Sequence, residues 1–390
     1  MRDCPVCTSK DSNIIFDIKY PVPETHFLGN YQTINSCNNC GMIFSDSFRD
    51  QASYDKYYLS LSNYSPSSED NDPANQARIE KTYAQIKKHI TFDSKICDLG
   101  CGSAYHLEYL HSKGYKNLSG IDARLEIEQS KYTYYRELIS SFDTGMLKQF
   151  DFIKCIGVLE HIYDLDKFLI NIIRDLNLSS YFYVEVPDAS EYHCKIVSPL
   201  QDFNLEHVNH FSKKSMENIA LRYNLDMIFG ETIYQPESSN YQMPVISCLF
   251  RKPASQNKKA NDLKFDNDLI LNINKYIKKS QEILDLYNKY IEDFTQSHKS
   301  IYIWGAGQLA LKLSNLQIFT KLKVEAYIDK NASQNTINNI KVVRPSVGLD
   351  SDIPILISST LHEKSIRQDI KNLGFENKTL SLPATNLLEK

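Results

Sequence analysis

The sequence predicts an α/β protein built on two open, mostly parallel sheets, preceded by a small cysteine-rich region. Three observations predict it. Between residues 95 and 186, short apolar runs alternate with helical stretches: Ile96–Leu99, Leu118–Ile121, Phe152–Ile156 and Tyr181–Val186. That alternation is the mark of βαβ units feeding a parallel sheet. A second opening of strand, glycine turn and helix begins at Ile301-Tyr302-Ile303-Trp304 and continues through Val324–Ile328 and Ile355–Ile357. Finally, four of the nine cysteines fall in two Cys-x-x-Cys pairs before residue 41.

Length and charge narrow the class. A chain of 390 residues exceeds one ordinary core, so two or three domains are expected. A net charge of −4 gives no basic face for a nucleic-acid partner. No apolar run approaches the roughly 20 residues that span a bilayer, so no membrane partner is expected. Met1-Arg2-Asp3-Cys4-Pro5 lacks the apolar stretch of a signal peptide, and the expected setting is the cytoplasm. The sequence carries no sign of oligomeric state.

Taken in order, the first element is the cysteine region. Cys4, Cys7, Cys37 and Cys40 supply four thiolates, the ligand set of a closed tetrahedral zinc site. Gly41 follows the second pair, where a metal knuckle needs positive φ. Four sulfurs leave no open coordination position, so a zinc ion there is expected to be structural, stapling a short segment. The polar stretch from Ser60 to Pro73 reads as a loop, and Ala74 to Ile90 as a helix with Ile79, Tyr83, Ile86 and Ile90 on one face.

The strand Lys95–Leu99 then runs into Gly100-Cys101-Gly102, with a helix from about Tyr105. Glycines at this turn let the backbone approach a ligand closely. The next strand ends in Asp122, about 20 residues on, where an acid can bind both hydroxyls of a ribose. Asp98-Leu99-Gly100-Cys101-Gly102 resembles motif I of class I S-adenosylmethionine (SAM)-dependent methyltransferases. The resemblance implies SAM as cofactor, held by Asp98, Gly100, Cys101 and Gly102, with Asp122 on its ribose. A dinucleotide fingerprint would want a third glycine or alanine where Tyr105 stands. Further on, Gly157-Val158-Leu159-Glu160-His161 follows a strand at the carboxyl edge of the sheet, so Glu160 and His161 are expected to face cofactor or substrate; capping the following helix is the plainer role.

A second polar cluster, Asn204-Leu205-Glu206-His207-Val208-Asn209-His210-Phe211-Ser212, gathers two histidines and a carboxylate. Histidine is the natural base near neutral pH, and a neighbouring carboxylate can fix its tautomer. His-x-x-His also invites a metal reading, which ranks below the acid–base one with so few local ligands. Ser212 before Lys213-Lys214-Ser215 is a helix N-cap, so part of the cluster leads into a helix.

The whole arrangement resembles the three-domain sugar C-methyltransferases that act on nucleotide-linked deoxysugars. That resemblance implies a small-molecule sugar or nucleotide-sugar substrate. It makes His207 the base that removes a proton α to a ketone, oriented by Glu206, with His161 nearby and Tyr57 contributed by the N-terminal region. Asn204 stands where the family has a tyrosine, and Val208-Asn209-His210 where an aromatic is commoner; both departures touch the sugar pocket. Sugar O-methylation would use the same base.

Arg251 to Ala260 reads as a boundary, and Phe265 to about Ser297 as one long helix. Beyond it, Gly305-Ala306-Gly307-Gln308-Leu309-Ala310 with Asp329 gives a second Rossmann-like opening. It is expected to pack and to help hold the substrate's nucleotide, the alternative being NAD binding and oxidoreductase activity. The expected division is therefore a zinc-binding region over 1–73, a methyltransferase domain over 74–255, and a long helix with a Rossmann-like domain over 256–390.

Overall fold

The computed structural model describes residues 2–60, 73–123, 131–142, 145–238, 241–253, 263–330, 336–345, 348–360 and 362–383. Most of the expected loop, at 61–72, and the expected boundary at 254–260 lie outside the described residues. The chain forms two compact units. The first comprises residues 1–16, 33–190 and 206–270, and the second 17–32, 191–205 and 271–390.

The chain begins with β1 (Ser12–Lys19) and β2 (Tyr31–Cys37), whose residues 17–19 and 31–32 fall in the second unit, and the first unit continues with β3 (Ile43–Asp46), α1 (Gln51–Ser60) and α2 (Pro73–Ile86). The central elements follow: β4 (Ile96–Leu99), α3 (Tyr105–Ser112), β5 (Leu118–Ile121), β6 (Thr133–Tyr135), β7 (Phe152–Ile156), α4 (Leu165–Asp175) and β8 (Tyr181–Pro187). The unit closes with β9 (Asn209–His210), α5 (Lys213–Arg222), β10 (Asp226–Ser238) and β11 (Tyr241–Arg251). The seven-stranded sheet runs β10-β11-β8-β7-β4-β5-β6. Strands β4 to β8 are parallel, and the β10–β11 hairpin joins antiparallel through β11.

The strands predicted from apolar runs sit where burial demands them. All four residues of β4 and of β5 are buried, because helices cover both sheet faces. Helix α4 turns Leu165, Phe168, Leu169 and Ile172 inward, while Asp164 caps it by accepting from the Lys167 amide. Strand order reverses at β4, whose neighbours are β5 and β7. That switch point opens a crevice at the strands' carboxyl ends, where ligands bind in open α/β sheets. A second sheet, β1-β2-β3-β9, carries the cysteine pairs beside the central sheet. Cys4, Cys37 and Cys40 share one hydrophobic cluster with Leu99, Val158 and Phe211.

The second unit is built on α6 (Asn267–Thr295), β12 (Ser300–Trp304), α7 (Gln308–Leu313), β13 (Lys323–Ile328), β14 (Thr336–Ile337), β15 (Ile340–Val343), β16 (Ile355–Ile357), α8 (Glu363–Asn372) and β17 (Thr379–Ser381). Its sheet runs β14-β15-β13-β12-β16-β17, parallel except for the β14–β15 hairpin. The long helix bears out the apolar spacing: Tyr287 and Ile291 join the core formed by Ile301, Ile303 and Leu356.

Candidate functional site

The glycine turn closes β4 as its spacing requires. Gly100 has φ +71° and its amide donates to the carbonyl of Ile121; Gly102 has φ +49°. The Gly102 amide donates to Asp122 Oδ2 at 3.1 Å, so the acid ending β5 is fastened to the loop that ends β4. A cavity of about 260 Å³ opens here, lined by Gly100, Gly102, Asp122, Gly157, Val158 and His161. Helix α1 forms another wall with Gln51, Asp55 and Tyr58, and Ser140 and Ile139 line it from beyond β6.

A Cβ on Gly102 would meet no atom within 4 Å, so the loop's second glycine faces open space. A Cβ on Gly100 would instead approach Val158 Cγ2 to 2.6 Å. The bare backbone, the acid and the apolar floor suit SAM: amides and carbonyls for its amino-acid end, Asp122 for its ribose. Three of the residues expected at the cofactor stand elsewhere. Asp98 is buried against Lys154 of β7 at 2.7 Å, directly across the strand pair, and does not line the cavity. Burial raises its carboxyl above the usual range despite that lysine. Cys101 turns its sulfur over Gly120, which must be glycine because a Cβ there would lie 2.6 Å from Cys101 Sγ. Glu160 is buried behind the cavity wall.

The wall that holds His161 is assembled by backbone bonds between two distant segments. The Val208 amide donates to the carbonyl of Glu160 at 2.7 Å, and Asn209 Nδ2 donates to the carbonyls of Leu159 and Ile162. His210 is fully buried with Nε2 3.1 Å from Ser45 Oγ, so the second histidine of His-x-x-His belongs to the sheet. Arg2 adds a clamp, its guanidinium donating to the carbonyls of Val208 and Tyr163 and to Asn209 Oδ1.

This brings Tyr57, His161, Glu206 and His207 together. The Tyr57 hydroxyl donates to Glu206 Oε1 at 3.0 Å. His161 Nδ1 lies 2.8 Å from the Tyr58 hydroxyl and 3.3 Å from the carbonyl of Glu206. The ring of His207 meets His161 edge-on, centroids 4.7 Å apart. Burial lowers both imidazoles, His161 to about 4 against the pull of that carbonyl and His207 well below its ordinary value, so both are neutral at physiological pH. Burial pushes the Glu160 carboxyl up to about 8. The turn Leu159–His161 has no side-chain cap, and α4 is capped by Asp164, so capping is not what Glu160 and His161 do.

Helix α1 is held by Tyr54, which is buried, bonded to Ser47 at 3.0 Å and stacked on Tyr163. Sequence reasoning found Tyr57 but missed Tyr58, Asp55 and Ser140, which have no motif around them. Their signal is positional: α1 runs along the mouth of the crevice.

The cysteine region suits zinc. The four sulfurs lie within 4.8 Å of one another, with Cys4–Cys40 at 3.7 Å and Cys7–Cys37 at 3.4 Å. Tetrahedral Zn–S bonds of about 2.3 Å place sulfurs about 3.8 Å apart. The Asn39 amide points at Cys37 Sγ, as a knuckle requires. Gly41, at φ +76°, leaves room for the backbone of Asp266, which a Cβ would approach to 2.6 Å.

Residues 54–228 match the methyltransferase domain model Methyltransf_23. That segment is a methyltransferase domain. Comparison with curated proteins gives no match. Among solved structures, a SAM-dependent methyltransferase from Methanosarcina mazei is similar at 16% identity and TM-score 0.36, covering 44% of this chain and 99% of its own. The 1,6-didemethyltoxoflavin-N1-methyltransferase of Burkholderia thailandensis, solved with its substrate and S-adenosylhomocysteine (SAH), is similar at 13% identity and TM-score 0.41, covering 57% and 95%. The matched segment contains the glycine loop, Asp122 and the Glu160–His207 cluster. The second unit's loop lies outside the match. There the Ala306 amide donates to Asp329 Oδ2 at 2.8 Å, and Ser358 Oγ donates to the Gly305 carbonyl at 2.7 Å.

Proposed function

We propose that the protein transfers a methyl group from SAM to a sugar, nucleotide-linked, at a carbon next to a ketone. The observation that carries this reading is the Tyr57–Glu206 pair, with His207 packed edge-on against His161, which lines the cavity that begins at Gly100 and Gly102. SAM supplies an already activated methyl group, so the protein must position the acceptor and take its proton. Glu206, hydrogen-bonded to Tyr57, together with the neutral imidazole of His207, forms the accepting group. Tyr58 fixes His161 against the same wall.

The cysteine region, through the zinc held by Cys4, Cys7, Cys37 and Cys40, braces the segment that brings Glu206 and His207 to the crevice. The working division remains 1–73, 74–255 and 256–390, in a cytoplasmic enzyme whose thiols stay reduced.

Glu206→Gln and His207→Ala are expected to lower turnover of labelled SAM with a nucleotide 4-ketosugar by about 10²- to 10⁴-fold. Calorimetric affinity for SAH should stay unchanged. Full turnover in both variants rejects the assignment, and label found on oxygen rather than carbon moves the reaction to O-methylation.

A further inference from the structure

Glu160 is the unexplained member of the site. Its carboxylate is 4% exposed, yet Oε2 has no hydrogen-bond partner among the described residues. A buried carboxylate oxygen left without a partner is costly, and such atoms in native folds commonly mark a missing ion or water. Its other oxygen, Oε1, stands 4.0 Å from His161 Nε2. One ligating atom from each of Glu160, His161 and His207 lies within 4.8 Å of the others.

The tautomer of His161 agrees with a ligand role. Its Nδ1 faces the carbonyl of Glu206, which can only accept, and the hydroxyl of Tyr58. That places the proton on Nδ1 and leaves the Nε2 lone pair toward Glu160. An imidazole fixed by a carbonyl through one nitrogen and free to bind through the other is the usual arrangement of a metal-ligating histidine.

We infer that Glu160, His161 and His207 form a binding site for one divalent transition-metal cation at the acceptor end of the cofactor crevice. Two imidazoles and one carboxylate favour Mn²⁺, Fe²⁺ or Zn²⁺ over Mg²⁺, which prefers oxygen ligands and its own waters. Metal–ligand bonds of about 2.1 Å require donors closer than the present spread, so binding draws the three side chains inward by about an ångström. His161 lines the cavity, so the cation's open positions face the acceptor. An oxygen of the acceptor, the ketone in the reaction proposed above, is the ligand that fits them. The inference rests on that reading and narrows it: with His207 holding the cation, the proton goes to Glu206 alone, which the Tyr57 hydroxyl holds in place.

The test uses the full-length, zinc-loaded protein and Mn²⁺ alone, followed by the loss of the free-ion signal in electron paramagnetic resonance. One equivalent is expected to bind per chain, while the four-cysteine zinc is retained. The isosteric Glu160→Gln and the separate His207→Ala should each weaken Mn²⁺ at least 10-fold, with SAH affinity confirming that each variant is folded. No Mn²⁺ bound by the wild type, or unchanged binding in both variants, overturns the site. The two readings separate cleanly: Mn²⁺ bound without methyl transfer to any nucleotide sugar defeats the proposed function and spares the site. Full turnover with no bound Mn²⁺ does the reverse.

Discussion

The two glycine loops share a grammar and differ in what stands across from their first glycine. Each follows a central parallel strand, and each is tied to the acid ending the next strand: Gly102 to Asp122 at 3.1 Å, Ala306 to Asp329 at 2.8 Å. The neighbouring strand decides the rest. Beside the first loop, β7 is followed by Gly157, at φ +64°, and a cavity opens there. Beside the second, β16 is followed by Ser358, whose hydroxyl bonds the carbonyls of Trp304 and Gly305. A Cβ on Gly305 would lie 2.9 Å from that hydroxyl. A glycine pattern with its acid therefore reports the turn: the second glycine, Gly102 or Gly307, faces open space in both loops, and the difference lies in what stands across from the first.

The sharpest way to break this comparison is a matched pair of substitutions. Gly100→Val combines a strained positive φ with a clash on Val158 at the cavity wall, and SAH affinity by calorimetry should fall at least about 100-fold. Gly305→Val, at φ +105°, should lower the melting temperature by several degrees and leave SAH affinity unchanged. Equal loss in both would mean the second loop also serves the cofactor.

A ligand comparison comes next in size. SAH at about 100 times its Kd should stabilise the protein by about 2.7 kcal/mol, and NAD by nothing measurable. A rise in melting temperature with NAD would assign the second loop a ligand of its own.

A further contrast concerns the buried cations near each loop. Lys154 has Asp98 as its partner, whereas Lys312 on α7 rests on the carbonyl of Phe203 and the ring of Tyr20. Burial lowers the Lys312 ammonium to about 7. The unfolded chain then binds more protons between pH 7 and about 10.4, so this group makes stability rise with pH there, by at most about 1.4 kcal/mol per unit. Urea melts at pH 7 and 10 should show that rise in the wild type and its absence in Lys312→Met; parallel curves would refute it.

Much of the fold was legible because burial writes itself into the chain. The strands β4, β5, β7 and β8, the long helix α6 and the Ser212 cap were all read from apolar spacing and capping chemistry. The glycine loop and Asp122 were legible for the same reason, since local backbone needs leave local marks. What escaped depended on neighbours in space. Asp98 looked like a cofactor ligand until Lys154 appeared across the sheet, and Glu206 looked committed to His207 until Tyr57 arrived on α1. Nor does sequence reveal that Glu160, His161 and His207 converge, since β9 brings the last of them to the others.

That strand has a consequence for how the molecule is made. Pairing of β9 with β3 sets His210 opposite Ile43, contacts far apart along the chain. Such closures cost loop entropy and form late, after the central sheet has gathered its local crossovers. The β3–β9 pairing is thus expected to form after the central sheet. It should also be the first to open as the protein is warmed, before the crevice at Gly100 and Gly102 is lost.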